Sequence, residues 1–184
     1  MKGVVFDILR DMVEEGYGLE GWNAILEKSG SNGMYISTES YSDDELMGLV
    51  AAASEVTGTD VNDLVFLFGE YMVQEFHARF PIFFDRSKGL IEFLLSVDRI
   101  VHVEVRKLYP DASLPRFNYQ KEGSHSLTMI YRSERKLCRL AEGLISGSAK
   151  FFKQSYIMTH DPCMHHGADE CHLKIQLTGD ANGI

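Results

Sequence analysis

The stretch Ile100-Val101-His102-Val103-Glu104-Val105-Arg106-Lys107-Leu108 has two readings, and the architecture of the middle of the chain turns on the choice. Val101, Val103 and Val105 alternate with polar residues, the period-2 pattern of a half-buried strand, and on that reading His102 lies on the polar side. Wound as a helix, the same residues place His102 one turn from Val105 and Arg106. Local pattern alone favours the strand.

On the N-terminal side of this stretch the apolar residues recur at helical spacing. Val4, Val5, Ile8, Leu9, Met12 and Val13 predict a helix stopped by Gly16 and Gly18. A second short helix fits Glu20 to Lys28, with Trp22, Ile25 and Leu26 inward. Ser42 followed by Glu45 reads as a capping box that opens a helix running to about Gly58. Asp60 can cap a long amphipathic helix ending before Pro81, with Leu64, Leu67, Phe68, Tyr71, Met72 and Phe76 facing inward. A further helix fits Ser87 to Val97. Beyond Pro110 the character changes. Arg116 to Gln120 and Ser126 to Tyr131 read as a hairpin with Glu122-Gly123 near its turn. Lys136 to Phe152 is helical, with Leu137, Leu140, Leu144 and Phe151 apolar. Tyr156 to His160 and Cys171 to Leu177 read as two more strands, and Gly179 to Ile184 as a frayed tail. Helices first, then an antiparallel sheet crossed by a helix, make the class α+β.

Composition narrows the function. The 184 residues suit one domain or two closely packed lobes, and 45% are hydrophobic, with eleven Phe and eight Met to build a core or line a cavity. A formal charge of −9 argues against nucleic acid or an anionic membrane surface as partner, since neutralising phosphates takes a basic surface. Asp7, Arg10 and Asp11 interrupt the apolar start and Glu14 and Glu15 follow it, so it does not read as a signal peptide. No run approaches the 18 apolar residues of a membrane span, and the expectation is a cytoplasmic protein. Three cysteines in a reducing compartment are poor candidates for structural disulfides.

Two groupings carry chemistry. In Tyr131-Arg132-Ser133-Glu134-Arg135, alternate residues at a strand end point the same way, so two hydroxyls and a guanidinium fork can converge on a carboxylate. The plainer reading is a capping turn, with Ser133 on the helix and Arg135 solvated; composition alone favours it. The second grouping is His160-Asp161-Pro162-Cys163, then seven residues, then Cys171, with Cys138 on the preceding helix. Three thiolates and an imidazole suit closed tetrahedral structural Zn2+. His165, His166 and His172 are rival ligands, and three unrelated free cysteines are the alternative.

Taken together, the chain resembles the haem nitric oxide/oxygen binding (H-NOX) family, sensor domains related to the sensor part of soluble guanylate cyclase. The resemblance rests on Met1-Lys2-Gly3 before an amphipathic helix, on His102, on Pro115, on the Tyr131, Ser133, Arg135 signature, and on the glycine-rich segment Gly143 to Phe152. It runs from Met1 to about Leu177. It implies a single domain, 1–184, with a distal helical lobe of about 1–65 packed on a proximal lobe of about 66–184, and haem b buried between them. It implies that His102 is the iron ligand on a helix, which overrides the local strand pattern. Tyr131, Ser133 and Arg135 then bind the propionates, Val5 and Pro115 press on the porphyrin, and Leu144 lies beside it.

The resemblance also speaks to the gas. Where oxygen-binding members carry a distal tyrosine, this chain has Leu140; the supporting positions fall at Leu9 and Met72. All three are apolar, which implies NO binding without O2, with CO as an in-vitro ligand. Some bacterial members carry a zinc site whose pattern Cys138, His160, Cys163 and Cys171 fit. The output, by lobe rotation after NO weakens the bond to His102, is then read by a separate histidine kinase or cyclic-di-GMP enzyme. A non-enzymatic role is expected, because a peroxidase needs a distal acid-base group. A zinc-thiolate redox sensor with mainly structural haem is the principal alternative, and haem carriage a further one.

Overall fold

Ile100 to Leu108 is helical in the computed structural model, which describes residues 1–179; residues 180–184 of the expected tail lie outside the described part. His102 is 8% exposed, whereas Val103 is 39% exposed. The valine alternation therefore has no buried sheet face behind it. What the segment buries is the histidine.

The elements in order are α1 (Gly3–Ser29), α2 (Asp43–Thr57), α3 (Val61–Arg79), α4 (Ile82–Asp85), α5 (Leu90–Ser96), a π turn (Val97–Val101), α6 (His102–Leu108), β1 (Arg116–Glu122), β2 (Ser126–Arg132), α7 (Cys138–Phe151), β3 (Tyr156–His160) and β4 (Cys171–Leu177). The four strands form one antiparallel sheet in the order β1-β2-β4-β3, so the fold is α+β. The Ser42 half of the expected capping box is present, its hydroxyl accepting from Glu45 N–H at 3.1 Å, while Glu45 Oε1 accepts from the Tyr35 hydroxyl at 2.8 Å. Asp60 caps α3 through Asn62 N–H at 2.8 Å. The register sets Phe117 and Cys171 on either side of Tyr131.

The expected break between the first two helices is present at Gly18 (φ 68°, ψ 180°), the kink that joins them within α1, although Gly16 stays helical. One expectation needs correction. On α3, Phe68 and Met72 are buried as expected, but Leu67 is 42% exposed, and Val65, Gly69 and Val73 take the inward positions. The helix is rotated because its closest approach to α7 runs through glycine. A Cβ on Gly69 would sit 2.6 Å from the Leu140 carbonyl oxygen, one on Gly147 would sit 2.7 Å from that of Glu70, and one on Gly143 would run into the Phe66 carbonyl. Backbone thus packs on backbone, which only a missing side chain permits.

Two apolar cores result. One joins α1, α2 and α3 with Leu140 of α7; the other lies beneath the sheet against α5 and α7. Phe76 and Leu144 pack against both. Gly143→Ala should cost about 1–3 kcal/mol by overpacking, lowering Tm by roughly 2–12 °C. Gly48, exposed in α2 with open space around it, should gain up to about 1 kcal/mol on substitution by Ala. Thermal denaturation of the two variants side by side checks both signs. Among the described residues no helix is long and apolar enough to cross a membrane.

Candidate functional site

His102 opens α6 directly after the π turn, where the bonds run i to i+5 and His102 N–H reaches the Val97 carbonyl. Such turns are rare and are often found at functional sites. The ring is buried, with Nδ1 3.2 Å from Asp98 Oδ1. Burial pushes its pKa down and outweighs the Asp98 hydrogen bond, so the imidazole is neutral. A neutral ring with one nitrogen already engaged is the form that ligates a metal through the other. Phe117 of β1 stacks against it with centroids 5.7 Å apart and stands equally far from Tyr131. Phe117 is thus the bridge between the histidine and the strand-end motif.

Tyr131 lies at the end of β2, 2% exposed, with its hydroxyl beside the Ser133 side chain; burial raises its pKa. Ser133 Oγ accepts from Arg135 N–H at 3.3 Å, the local turn that a serine favours at a helix approach. Arg135 is not solvated. Its guanidinium pairs with Asp43 of α2 at 3.3 Å, lies 3.4 Å from Met1 Sδ and donates to the Ser113 carbonyl. It therefore ties the N-terminal helices to the loop that carries Pro115, itself half-buried. Lys2 and Ser40 reinforce that tie by donating to Asp111 at 2.6 and 2.7 Å.

Val5, Leu9, Met72 and Leu140 are all buried and belong to one apolar cluster, and Leu144 packs against it. None of these side chains carries a hydrogen-bond donor. Together with His102 and the strand-end hydroxyls and guanidinium, they are the groups a His-ligated haem uses: one neutral imidazole, apolar faces, and donors for carboxylates.

A second cluster forms where α7, β3 and β4 meet. Cys138, His160, Cys163 and Cys171 offer ligand atoms that all lie within 4.8 Å of one another. Cys163 Sγ stands 4.0 Å from Cys138 Sγ and 3.9 Å from Cys171 Sγ. That is far beyond a disulfide bond of about 2.05 Å. It matches the edge, about 3.8 Å, of a tetrahedron built on 2.3 Å zinc–sulfur bonds. His160 Nδ1 is hydrogen-bonded to the buried Glu142 carboxylate, which also pairs with Arg139. Its Nε2 is buried with no hydrogen-bond partner among the described residues. Met164 N–H donates to Cys171 Sγ at 3.2 Å. Burial pushes the Cys138 and Cys171 thiols up, which a bound cation reverses. The rivals lie outside the cluster: His165 is exposed beside the Lys136 carbonyl at 2.8 Å, His166 is exposed, and His172 faces Glu170 at 3.0 Å.

Asp98, Phe117 and Glu142 were not singled out from the sequence. Asp98 stands four residues before His102, and Glu142 four after Cys138, so helical spacing was the available signal for both.

A sequence profile described as haem-NO-binding matches residues 2–160. The chain superposes with a TM-score of 0.91 on an H-NOX protein from S. oneidensis solved in the Fe(II)NO ligation state, at 35% identity over 97% of this chain and 100% of that one. An Fe(II) unliganded H-NOX protein from K. algicida gives 0.89 at 31% identity over 100% of both chains. Soluble guanylate cyclase 89Db of Drosophila melanogaster is 27% identical over 138 residues, 73% of this chain; the chain spans only 20% of that curated relative. The chain belongs to the haem-NO-binding, or H-NOX, family of haem-based gas-sensor domains.

Proposed function

We propose that this protein is a nitric oxide sensor that excludes O2 and signals to a separate protein. The carrying observation is that Val5, Leu9, Met72 and Leu140, buried in one cluster, themselves offer no side-chain donor to stabilise the partial charge of bound O2. Haem b would be held by His102 between a distal lobe of about 1–65 and a proximal lobe of about 66–184, and when bound would supply a ferrous iron able to take NO. Tyr131, Ser133 and Arg135 would receive its propionates, and Pro115, Val5 and Leu144 would supply apolar contacts to it. His102 anchors the iron from α6, which is seated on β1 through Phe117. Arg135 holds the α2 end and the Ser113 loop together. A change in the hold on His102 is therefore felt where the two lobes meet. NO shifts that equilibrium only by its different affinity for the two arrangements. The output is read by a separate histidine kinase or cyclic-di-GMP enzyme.

Visible spectra of the reduced protein under NO, CO and air test this reading. NO and CO should each change the spectrum, and air should give oxidation without a stable oxygen complex. A long-lived oxygen complex would overturn the selectivity. We also infer that Cys138, His160, Cys163 and Cys171 hold structural zinc, supported by the orphaned His160 Nε2 and the thiol spacing.

A further inference from the structure

The imidazole of His102 has two nitrogens, and the acceptor at one decides which proton stays and how strongly the other donates. In this chain the acceptor is a carboxylate on the same helical run. Asp98 Oδ1 lies 3.2 Å from His102 Nδ1. Asp98 lies within the widened turn and His102 directly follows it; its i to i+5 bonding accommodates an extra residue between α5 and α6. The turn rests on β1. His102 stacks on Phe117, and two residues along on the same strand face the Tyr119 hydroxyl comes up beside the Asp98 backbone, buried and without a completed hydrogen bond. The sheet thus seats the turn, while the Asp98 side chain is left to the histidine. Burial by itself would leave Nδ1 in want of an acceptor, and Asp98 supplies an anionic one.

We propose that Asp98 is a positioning residue for the haem ligand: its carboxylate accepts the Nδ1–H of His102, fixes the tautomer that frees Nε2 for iron, and makes the imidazole a stronger donor. This rests on the reading of His102 as the ligand. An acceptor bearing a full negative charge pulls the Nδ1 proton harder than a carbonyl does, and the electron density gained at Nε2 strengthens the iron–nitrogen bond. Asp98 thereby sets how readily NO detaches His102, and so the threshold of the sensor. The Asp98 side chain is about one-third exposed, so solvent moderates the effect without removing it.

The test compares wild type, Asp98→Asn, Asp98→Glu and Tyr119→Phe as ferrous holoproteins matched for haem content. Resonance Raman reads the iron–histidine stretch, electrochemistry the midpoint potential, and stopped flow the rate at which NO detaches His102. Asp98→Asn keeps size and hydrogen bonding but loses the charge. It should lower the stretching frequency, move the potential positive and speed detachment by about tenfold. Asp98→Glu should recover part of each change. Tyr119→Phe perturbs the seat of the same turn and should leave the frequency at the wild-type value. Wild-type frequency and potential in Asp98→Asn overturn the proposal, as does an equal change in Tyr119→Phe. A wild-type protein with no iron–histidine band would instead overturn the reading of His102 as ligand, and this inference with it.

Discussion

Ferrous His102→Gly protein should regain the wild-type spectrum only when imidazole is added. The substitution removes the one buried neutral imidazole that stands beside the strand-end motif, together with its Asp98 and Phe117 contacts. It leaves a ring-sized space flanked by a carboxylate acceptor and an aromatic face, into which free imidazole fits. Glycine in α6 adds a helix cost of about 1 kcal/mol, small enough for the fold to survive. Without imidazole, haem retention should fall by at least about tenfold, the scale on which even outer-shell losses act. Titrating imidazole into the variant while recording the ferrous spectrum checks this. An unchanged spectrum before any imidazole is added would sink the assignment.

The second large effect lies at the other cluster. Protein purified under reducing conditions should carry one equivalent of zinc, and Cys171→Ser should lose it. Cys171 is fully buried, paired across the sheet with Tyr131 and close to Cys163. Removing the metal leaves three buried thiols, an orphaned His160 Nε2, and a Glu142 carboxylate whose imidazole partner has lost its purpose. Structural zinc binding is folding free energy. Even a fraction of it, about 3 kcal/mol, would lower Tm by roughly 6–12 °C in a chain of this size. Metal analysis and thermal melts of the two proteins, with and without chelator, decide it. Less than about half an equivalent in the wild type would count against the site.

Much of this was legible in the residues. The hairpin, β3, β4 and the Ser42 cap of α2 stand where turn chemistry and period put them. His102 was different. Its neighbours carry a strand pattern, and only the joint order of motifs along the chain turned the segment into a helix. The local pattern misled because Val103 is spent on an exposed face, while the buried position goes to a polar residue. The rotation of α3 was hidden for the opposite reason. Gly69 has no side chain to register in a hydrophobic count, yet it lies directly against the α7 backbone at Leu140 and Gly143. Asp43, 92 positions from Arg135, could not be paired with it from spacing at all. Asp98 and Glu142 sit at helical spacing from their histidine and cysteine, but so do many solvated carboxylates; what distinguishes them is the contact of Asp98 with the buried His102 ring and the burial of Glu142 itself.

The glycine seam between α3 and α7 has a thermodynamic consequence. Both helices contribute to both cores: Met72 and Leu140 to the N-terminal one, Val73 and Ile145 to the one under the sheet. Because the backbones touch, neither helix can leave its partner without exposing both apolar clusters to water at once. Stability is therefore pooled between the lobes. On the proposed reading, in which one lobe shifts against the other, the protein should still melt as a single cooperative unit, and the shift should be confined to arrangements that keep this seam closed.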